Sequence, residues 1–507
     1  MNSKSGWLRN DIGFMGRQVS PKRLRVFGWL LLVLGGMSHD LAADERPSAK
    51  FDPPQENPTS ARETPTVRLI QKVEAAVVGV FSQATEGELV SGSGSVIHED
   101  GFILTCDHVV GDRRGVVLLS DGTVRPYRTV GRLSEKDLTI IQVPAPRPLR
   151  RIVLGRSHDL RTGEPVLVGG NPGGRGIVFS SGIISSPRIM INVPNALVMA
   201  GAEDQLVDRR IQFDAASNRG NSGGPLINVE GVQIGLVSHK NPMEENINFA
   251  IPVDRVRQVF PEIIAPEVLG DYWVGLNLDM LADRAVVSSV AEGSPAASAG
   301  LQAGDVVLAT DSKPIRYGVD WVLTLIGGKA GASFTIRYER GGSVHETNPT
   351  TKPYPVAPSV AEDGKKPGLR FSLYHLERPL KLPDFATLKP VRTGVTSSLE
   401  PGPLASGRKG AFGLVFEGFI RVPDTGLYRL VLVSDDGSRL LLHGKMVIDN
   451  DGVHPPLELG RYIRLAAGLH PIRIDFFEAY GSSDLRLYLQ SAPGERTLAG
   501  EGMLFHE

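Results

Sequence analysis

Three short segments place a histidine, an aspartate and a serine in one chain order. Leu104-Thr105-Cys106-Asp107-His108-Val109-Val110 supplies His108, and Lys136-Asp137-Leu138-Thr139-Ile140-Ile141 supplies Asp137. The run from Asp214 to Leu226, which contains Gly220-Asn221-Ser222-Gly223-Gly224-Pro225, supplies Ser222. A serine hydroxyl is a poor nucleophile unless a base takes its proton during attack. An imidazole, with a pKa of about 6.5, suits that task, and a carboxylate on its far nitrogen fixes the useful tautomer. Glycines around Ser222 let the backbone turn so that amide N–H groups face the oxygen that becomes negative. Each segment alone has a plainer reading: a tight glycine turn, a histidine packed beside two valines, an aspartate capping a strand. Together, in this order, they point to nucleophilic acyl transfer.

The elements that must hold these residues are short and strand-like. Apolar runs at Val77–Phe81, Ser95–His98, Val116–Leu119, Leu138–Val143, Pro165–Val168, Ile177–Ile184 and Gln233–Ser238 are punctuated by Gly, Asp and Asn. This spacing predicts a barrel or sandwich of about 200 residues, entered by an amphipathic stretch from Val67 to Ala76. Gly (58) and Pro (36) are abundant in the 507 residues and aromatics are only 6%, which favours many short strands over long helices.

The motifs resemble the trypsin-like serine proteases, specifically the HtrA/Deg family. The resemblance rests on Gly92-Ser93-Gly94-Ser95-Val96-Ile97, Gly101-Phe102-Ile103-Leu104-Thr105, His108-Val109-Val110, Asp137-Leu138, Gly170-Asn171-Pro172, the Gly220 to Leu226 run and Asn248-Phe249-Ala250-Ile251-Pro252. It covers roughly residues 67–264. It implies a mainly β fold with a chymotrypsin-like double β-barrel, two six-stranded barrels with the site between them. His108 would be the general base, Asp137 its orienter and Ser222 the nucleophile. The amides of Gly220 and Ser222, with Asn221 as a further candidate, would form the oxyanion hole. Ala216, six residues before the nucleophile, would floor the primary specificity pocket. Cys106 reads as a small buried filler behind His108. The segment from Arg188 to Arg210 is long for a strand connection and is a candidate mobile loop.

Two further modules follow. Tyr272-Trp273-Val274-Gly275-Leu276 and Ser294-Pro295-Ala296-Ala297-Ser298-Ala299-Gly300-Leu301-Gln302-Ala303-Gly304-Asp305 resemble PDZ domains. PDZ domains add an extended peptide to a sheet edge and hold its terminal carboxylate on backbone amides, here by resemblance those of Tyr272, Trp273, Val274 and Gly275. The alternative is a domain that only packs on the protease. The last segment resembles the protective-antigen domain family, β-sandwiches found in glycosidases and adhesins, through Phe412 to Pro423, Ser434-Asp435-Asp436-Gly437-Ser438, Asp449-Asn450 and Phe477-Glu478. Some relatives hold calcium on such an Asp pair and a later Asn, and the ion binds sugar hydroxyls. Asp435, Asp436 and Asn450 are therefore a candidate calcium site. Asp-Asp-Gly is equally explained as a hairpin turn.

Composition limits the remaining choices. Lys plus Arg is 55 and Asp plus Glu is 56, a balance that gives no reason to expect nucleic acid as partner. A single Cys excludes an intrachain disulfide and Cys-rich metal sites, and catalysis needs no cofactor. Lys22, Arg23 and Arg25 precede an apolar run from Val26 to Met37, then Leu41-Ala42-Ala43. At about 1.5 Å per residue that run is too short to cross a bilayer and reads as a secretory signal, with an uncleaved anchor as the alternative. The expected organisation is a signal over 1–43, a Pro-rich linker over 44–66, a protease over 67–265, a PDZ domain over 270–350, a linker over 351–367 and a β-sandwich over 368–507. The expected function is an exported, periplasmic or secreted serine endopeptidase acting on protein or peptide substrates, with glycans as candidate ligands. The resemblance also implies assembly as a trimer or larger homo-oligomer. The rival reading is a chaperone-like or glycan-binding scaffold that does not cleave.

Overall fold

The computed structural model describes residues 62–507 except 84–88, 191–208, 241–246, 406–409, 492–493 and the single positions 112, 312, 378, 455, 480 and 482. The signal and most of the 44–66 linker lie outside the described residues, as does the greater part of the long 188–210 segment. Among the described residues no helix is long and apolar enough to cross a membrane.

The chain enters through a helix, Pro65–Val73, that starts where Thr64 accepts a hydrogen bond from Val67 N at 3.2 Å and proline occupies the first turn. The first sheet holds β1 (Val77–Gln83), β2 (Leu89–His98), β3 (Phe102–Thr105), β4 (Gly115–Leu118), β5 (Val124–Pro126), β6 (Arg128–Leu133) and β7 (Leu138–Gln142), in the order β5-β4-β1-β2-β3-β7-β6. β3 is buried along its whole length and β7 along all but its last residue. That explains their continuous apolar sequences. Their antiparallel register pairs Thr105 with Thr139. The residues just after β3 and just before β7 therefore emerge side by side, and these are His108 and Asp137.

The second sheet holds β8 (Val153–Leu154), β9 (Pro165–Gly170), β10 (Val178–Met190), β11 (Arg209–Phe213), β12 (Pro225–Asn228), β13 (Val232–Lys240) and β14 (Asn248–Pro252). The path β12-β9-β10-β11-β14-β13 closes on itself through a β12–β13 pairing, which makes a ring of six, and β8 lies outside it. The first sheet has seven strands, one more than the barrel the resemblance implied. Its short end strand β5 carries only three residues. Ile184, Ile211, Phe213, Leu226 and Val237 fill the second ring.

A helix from Val253 to Ile264 buries Val256, Phe260, Ile263 and Ile264. Its apolar face belongs to one core that runs from the first barrel into the next domain. That domain has β15 (Leu276–Leu278) paired with β16 (Val287–Val290), and a four-stranded sheet of β17 (Val306–Thr310), β18 (Lys313–Pro314), β19 (Ile336–Arg340) and β20 (Ser343–Thr347). Its helices are Pro295–Ser298 and Gly318–Thr324.

The C-terminal domain is two antiparallel sheets around a separate core of Leu414, Phe416, Leu430, Leu432, Ile474, Phe476 and their neighbours. The larger sheet is centred on Phe412–Val422 and Gly468–Glu478, paired in register from Phe412–Glu478 to Val422–Gly468. The smaller runs Leu457–Leu465, Gly426–Asp435, Asp484–Ser491, Arg496–Leu498. The segment read as a linker, 351–367, is bridged to both neighbours: Lys352 pairs with Trp273, Ala357 with Leu465 and Val360 with Leu469.

Candidate active site

His108 sits in a single helical turn, Asp107–Val110, directly after β3. Asp137 is the left-handed residue, φ 56°, that ends the turn Ser134–Lys136 and opens β7. His108 Nδ1 donates to the Asp137 carboxylate, 2.9 Å from each oxygen, and the His108 backbone N–H donates to Oδ1 at 3.0 Å. Ser238 Oγ on β13 donates to Oδ2 at 2.9 Å. Asp137 thus accepts from three donors, one of them from the other barrel. A second layer fixes the histidine turn. Arg132 on β6 grips Asp107 from Nε at 3.0 Å and Nη2 at 2.9 Å, and Thr139 Oγ1 donates to the same carboxylate at 2.7 Å.

The electrostatics follow from these contacts. The hydrogen bond to Asp137 holds the His108 imidazole above its ordinary pKa, although burial pulls it the other way. Burial alone would raise the Asp137 carboxyl, but the His108 ring, the His108 N–H and Ser238 together hold it below the usual carboxylate value. Complete burial, helped by the Asp137 charge, pushes the Cys106 thiol well above its ordinary value, so at neutral pH it stays a thiol and packs as filler.

Ser222 lies on the turn before β12, between Gly220 at φ 101° and Gly223 at φ 84°. Both glycines are required. A Cβ on Gly223 would lie 2.3 Å from Ser93 O, and one on Gly220 would lie 2.6 Å from Asn171 O. The turn is pinned to the first barrel. Ser93 N donates to Ser222 O at 2.8 Å, Ser93 Oγ donates to Gly220 O at 2.5 Å, and Asn171 N donates to Ser93 Oγ at 2.8 Å. Asn221 N donates to Asn218 O at 3.0 Å and so is spent inside the turn. Among the described residues, the N–H groups of Gly220 and Ser222 meet no acceptor. Of the three amides, those of Gly220 and Ser222 are therefore left available and that of Asn221 is engaged. Ser222 Oγ donates to Ser238 O at 3.3 Å. Ala216 is exposed, and its carbonyl accepts from Ser180 Oγ at 2.7 Å.

The other candidate residues lie elsewhere in the fold. Tyr272, Trp273, Val274 and Gly275 form the loop that leads into β15. The hydroxyl of Tyr272 donates to Leu325 O, and Trp273 pairs with Lys352 through backbone bonds of 2.7 and 3.2 Å. In the C-terminal domain, the carboxylates of Asp435 and Asp436 converge with Glu478, all within 4.8 Å of one another. The amide NH₂ of Asn450 donates to Ser434 Oγ at 2.9 Å and Leu457 O at 3.3 Å, and His454, whose backbone N–H donates to Asp436 Oδ1 at 3.0 Å, also bonds to Asn450 O at 3.0 Å. Sequence reading also missed Ser238, an ordinary strand residue whose role exists only once the two barrels meet.

A pH profile checks the site's electrostatics. A histidine acting as base must be neutral, and the pKa of His108 is raised. The ascending limb of kcat/KM should therefore have its midpoint above 6.5, the ordinary imidazole value. A midpoint at or below 6.5 would contradict the His108–Asp137 hydrogen bond as drawn.

Comparison with known proteins agrees with these parts. Residues 92–236 match the trypsin-like peptidase domain, 273–350 the PDZ domain and 365–502 the PA14 domain, the protective-antigen type. A probable periplasmic serine endoprotease DegP-like from Brucella suis is 31% identical over 287 residues, 53% of this chain and 54% of its own. Serine protease PepD from Mycobacterium tuberculosis is 29% identical over 334 residues, 61% of this chain and 68% of its own. Among solved structures, the serine endoprotease from Yersinia pestis aligns with 59% of this chain and 100% of its own at 25% identity and a TM-score of 0.34. The chain spans about half the length of the DegP-like relatives it matches.

Proposed function

Because the chain joins a trypsin-like peptidase domain to a PDZ domain and a PA14 domain, we propose that it is an exported, HtrA-like serine endopeptidase. Its substrates are misfolded or specific proteins of the cell envelope. The observation that carries this reading is the Asp137 carboxylate gripped by His108 and Ser238 at 2.9 Å each, with Ser222, on a glycine turn with free amides, bonded through its Oγ to the same Ser238. The names of the DegP-like and PepD relatives support it, and the periplasmic placement of the former supports export.

In the reaction, Ser222 Oγ leaves the Ser238 carbonyl, gives its proton to His108 Nε2 and attacks the scissile carbonyl carbon. Asp137 holds His108 Nδ1–H and stabilises the imidazolium that forms. The carbonyl oxygen becomes an anion between the N–H groups of Gly220 and Ser222. His108 then hands the proton to the leaving amine, the C–N bond breaks, and an acyl-Ser222 remains. Water repeats the cycle with His108 again as base, releasing the new carboxylate and restoring Ser222.

Incubation with casein tests the reading against its rival, a scaffold that does not cleave. Casein should be cut into discrete fragments. Intact casein after prolonged incubation at the optimum pH would favour the scaffold. Specificity provides a finer check. Ala216 is small and neutral and offers no carboxylate to a substrate Lys or Arg, so cleavage should follow small aliphatic residues such as Val or Ala. Product mapping dominated by Lys and Arg sites would refute that assignment.

The C-terminal domain is read as a glycan anchor that uses calcium. Three carboxylates with oxygen-only donors suit that ion. Asp436 is buried and its two oxygens are fixed by His454 N at 3.0 Å and Ala479 N at 2.8 Å, which supports a preformed face. Calcium titrated into the full chain should release or absorb heat, and Asp436→Asn should abolish the signal together with any chelator-sensitive binding on a glycan array. No heat, and glycan binding indifferent to chelator, would leave residues 435–438 as a turn.

A further inference from the structure

The loop that should receive a peptide carboxylate already holds one from this chain. A five-residue helix, Pro266–Gly270, runs directly before the loop. From it, Glu267 Oε1 accepts from Val274 N at 2.5 Å and from Gly275 N at 3.1 Å. Gly275 has φ +73°, and a Cβ there would lie 2.3 Å from Ser294 Cβ. The backbone is thus shaped so that two successive N–H groups converge on one anion, as in other backbone nests.

The neighbouring peptide-binding group is also engaged. Gly275 O accepts from Ala291 N at 2.9 Å, which turns it toward β16. Strand alternation then aims the Leu276 carbonyl at the opposite edge, toward the helix Gly318–Thr324. There Trp321 Nε1 donates to Leu276 O at 3.2 Å, from an indole that is only 2% exposed. The nest and the strand carbonyl are the two groups that would hold the last residue of an added peptide strand. Both have internal partners.

The helix that presents Glu267 is held from outside the PDZ domain. Arg464, on the strand Leu457–Leu465 of the C-terminal domain, donates from Nε to Val268 O at 3.0 Å and lies 3.3 Å from Asp271 Oδ1. Arg461 on the same strand pairs with Glu262 at 2.6 Å. A glutamate that merely satisfied two loop amides would need no such brace. Here a second domain grips the segment on both sides of Glu267.

We propose that Glu267 is an internal ligand of the PDZ carboxylate site, braced there by Arg461 and Arg464 of the C-terminal domain. A protein with a free C-terminal carboxylate then binds only by displacing it. This rests on the peptide-binding reading of the PDZ domain. The competition lowers apparent affinity by the fraction of molecules whose loop is vacant.

The test is fluorescence anisotropy with a labelled decapeptide ending in a free valine carboxylate, and with its C-terminal amide as control. The protein is the full chain carrying Ser222→Ala, so that the probe is not cut. Glu267→Gln removes the competing charge and should tighten binding of the acid by about tenfold or more, the scale of a charged hydrogen bond, with little change for the amide. Arg464→Ala leaves Glu267 and the loop intact but removes the brace. It should tighten binding in the same direction, which covers the case in which the Glu267 variant misfolds. Equal affinity in the parent and both variants would overturn the internal ligand and leave the peptide site standing. No binding by any of the three, or equal binding of acid and amide, would overturn both.

Discussion

Replacing Ser222 by alanine should lower kcat/KM for a cleaved peptide by about 10⁶-fold, the scale on which removal of a triad nucleophile acts. The side chain is small and its hydroxyl makes one long hydrogen bond, to Ser238 O at 3.3 Å. The turn is held by Ser93, itself held by Asn171, through the backbone carbonyls of residues 220 and 222, which alanine keeps. The variant should therefore fold with an unchanged melting temperature and lose only chemistry. Adding His108→Ala should cost little more, because base and nucleophile act as one unit. A residual rate within about tenfold of wild type would sink the mechanism.

Asp137→Asn should lower kcat/KM by about 10⁴-fold. Asparagine matches aspartate in shape, so the left-handed turn at φ 56° and the β7 register remain available. What changes is the proton. The carboxylate only accepts, so it holds His108 with its proton on Nδ1 and its lone pair on Nε2. An amide must keep its oxygen toward the His108 backbone N–H, which can only donate, so its NH₂ takes the Oδ2 place, faces the ring and leaves the Ser238 hydroxyl to accept; His108 then carries its proton on Nε2, where it cannot take one from Ser222. The effect should be on kcat more than KM, since no substrate contact is altered. A loss of less than about tenfold, with the fold intact by circular dichroism, would mean that Asp137 does not set the tautomer.

The three residues proposed as a triad were legible in the sequence because each sits in a motif set by local backbone geometry. Ser222 needs glycines at positive φ on either side, His108 follows a wholly buried strand, and Asp137 opens another. The β3–β7 register that joins the last two follows from their continuous apolar runs. Residues recruited across the fold were not legible. Ser238 reaches Asp137 only after the two barrels meet, 101 positions apart in sequence. Glu478 joins Asp435 and Asp436 only through sheet pairing, and no local motif marks it. Glu267 lies seven residues before Val274, whose amide it accepts, outside every motif that the sequence offers. The division between protease and PDZ domain was visible as a change of motif. The continuous core that Val256, Phe260 and Ile263 build across it was not, because helix burial on two sides looks in sequence like ordinary amphipathicity.

The central claim is that His108 and Asp137 make Ser222 a nucleophile, and covalent labelling reads this without knowledge of the natural substrate. The full chain is treated with a fluorophosphonate and analysed by intact mass and peptide mapping. The account predicts one adduct per chain, on Ser222, formed far more slowly in Asp137→Asn and absent in Ser222→Ala. An unmodified wild-type chain, or an adduct that persists in Ser222→Ala, would contradict it.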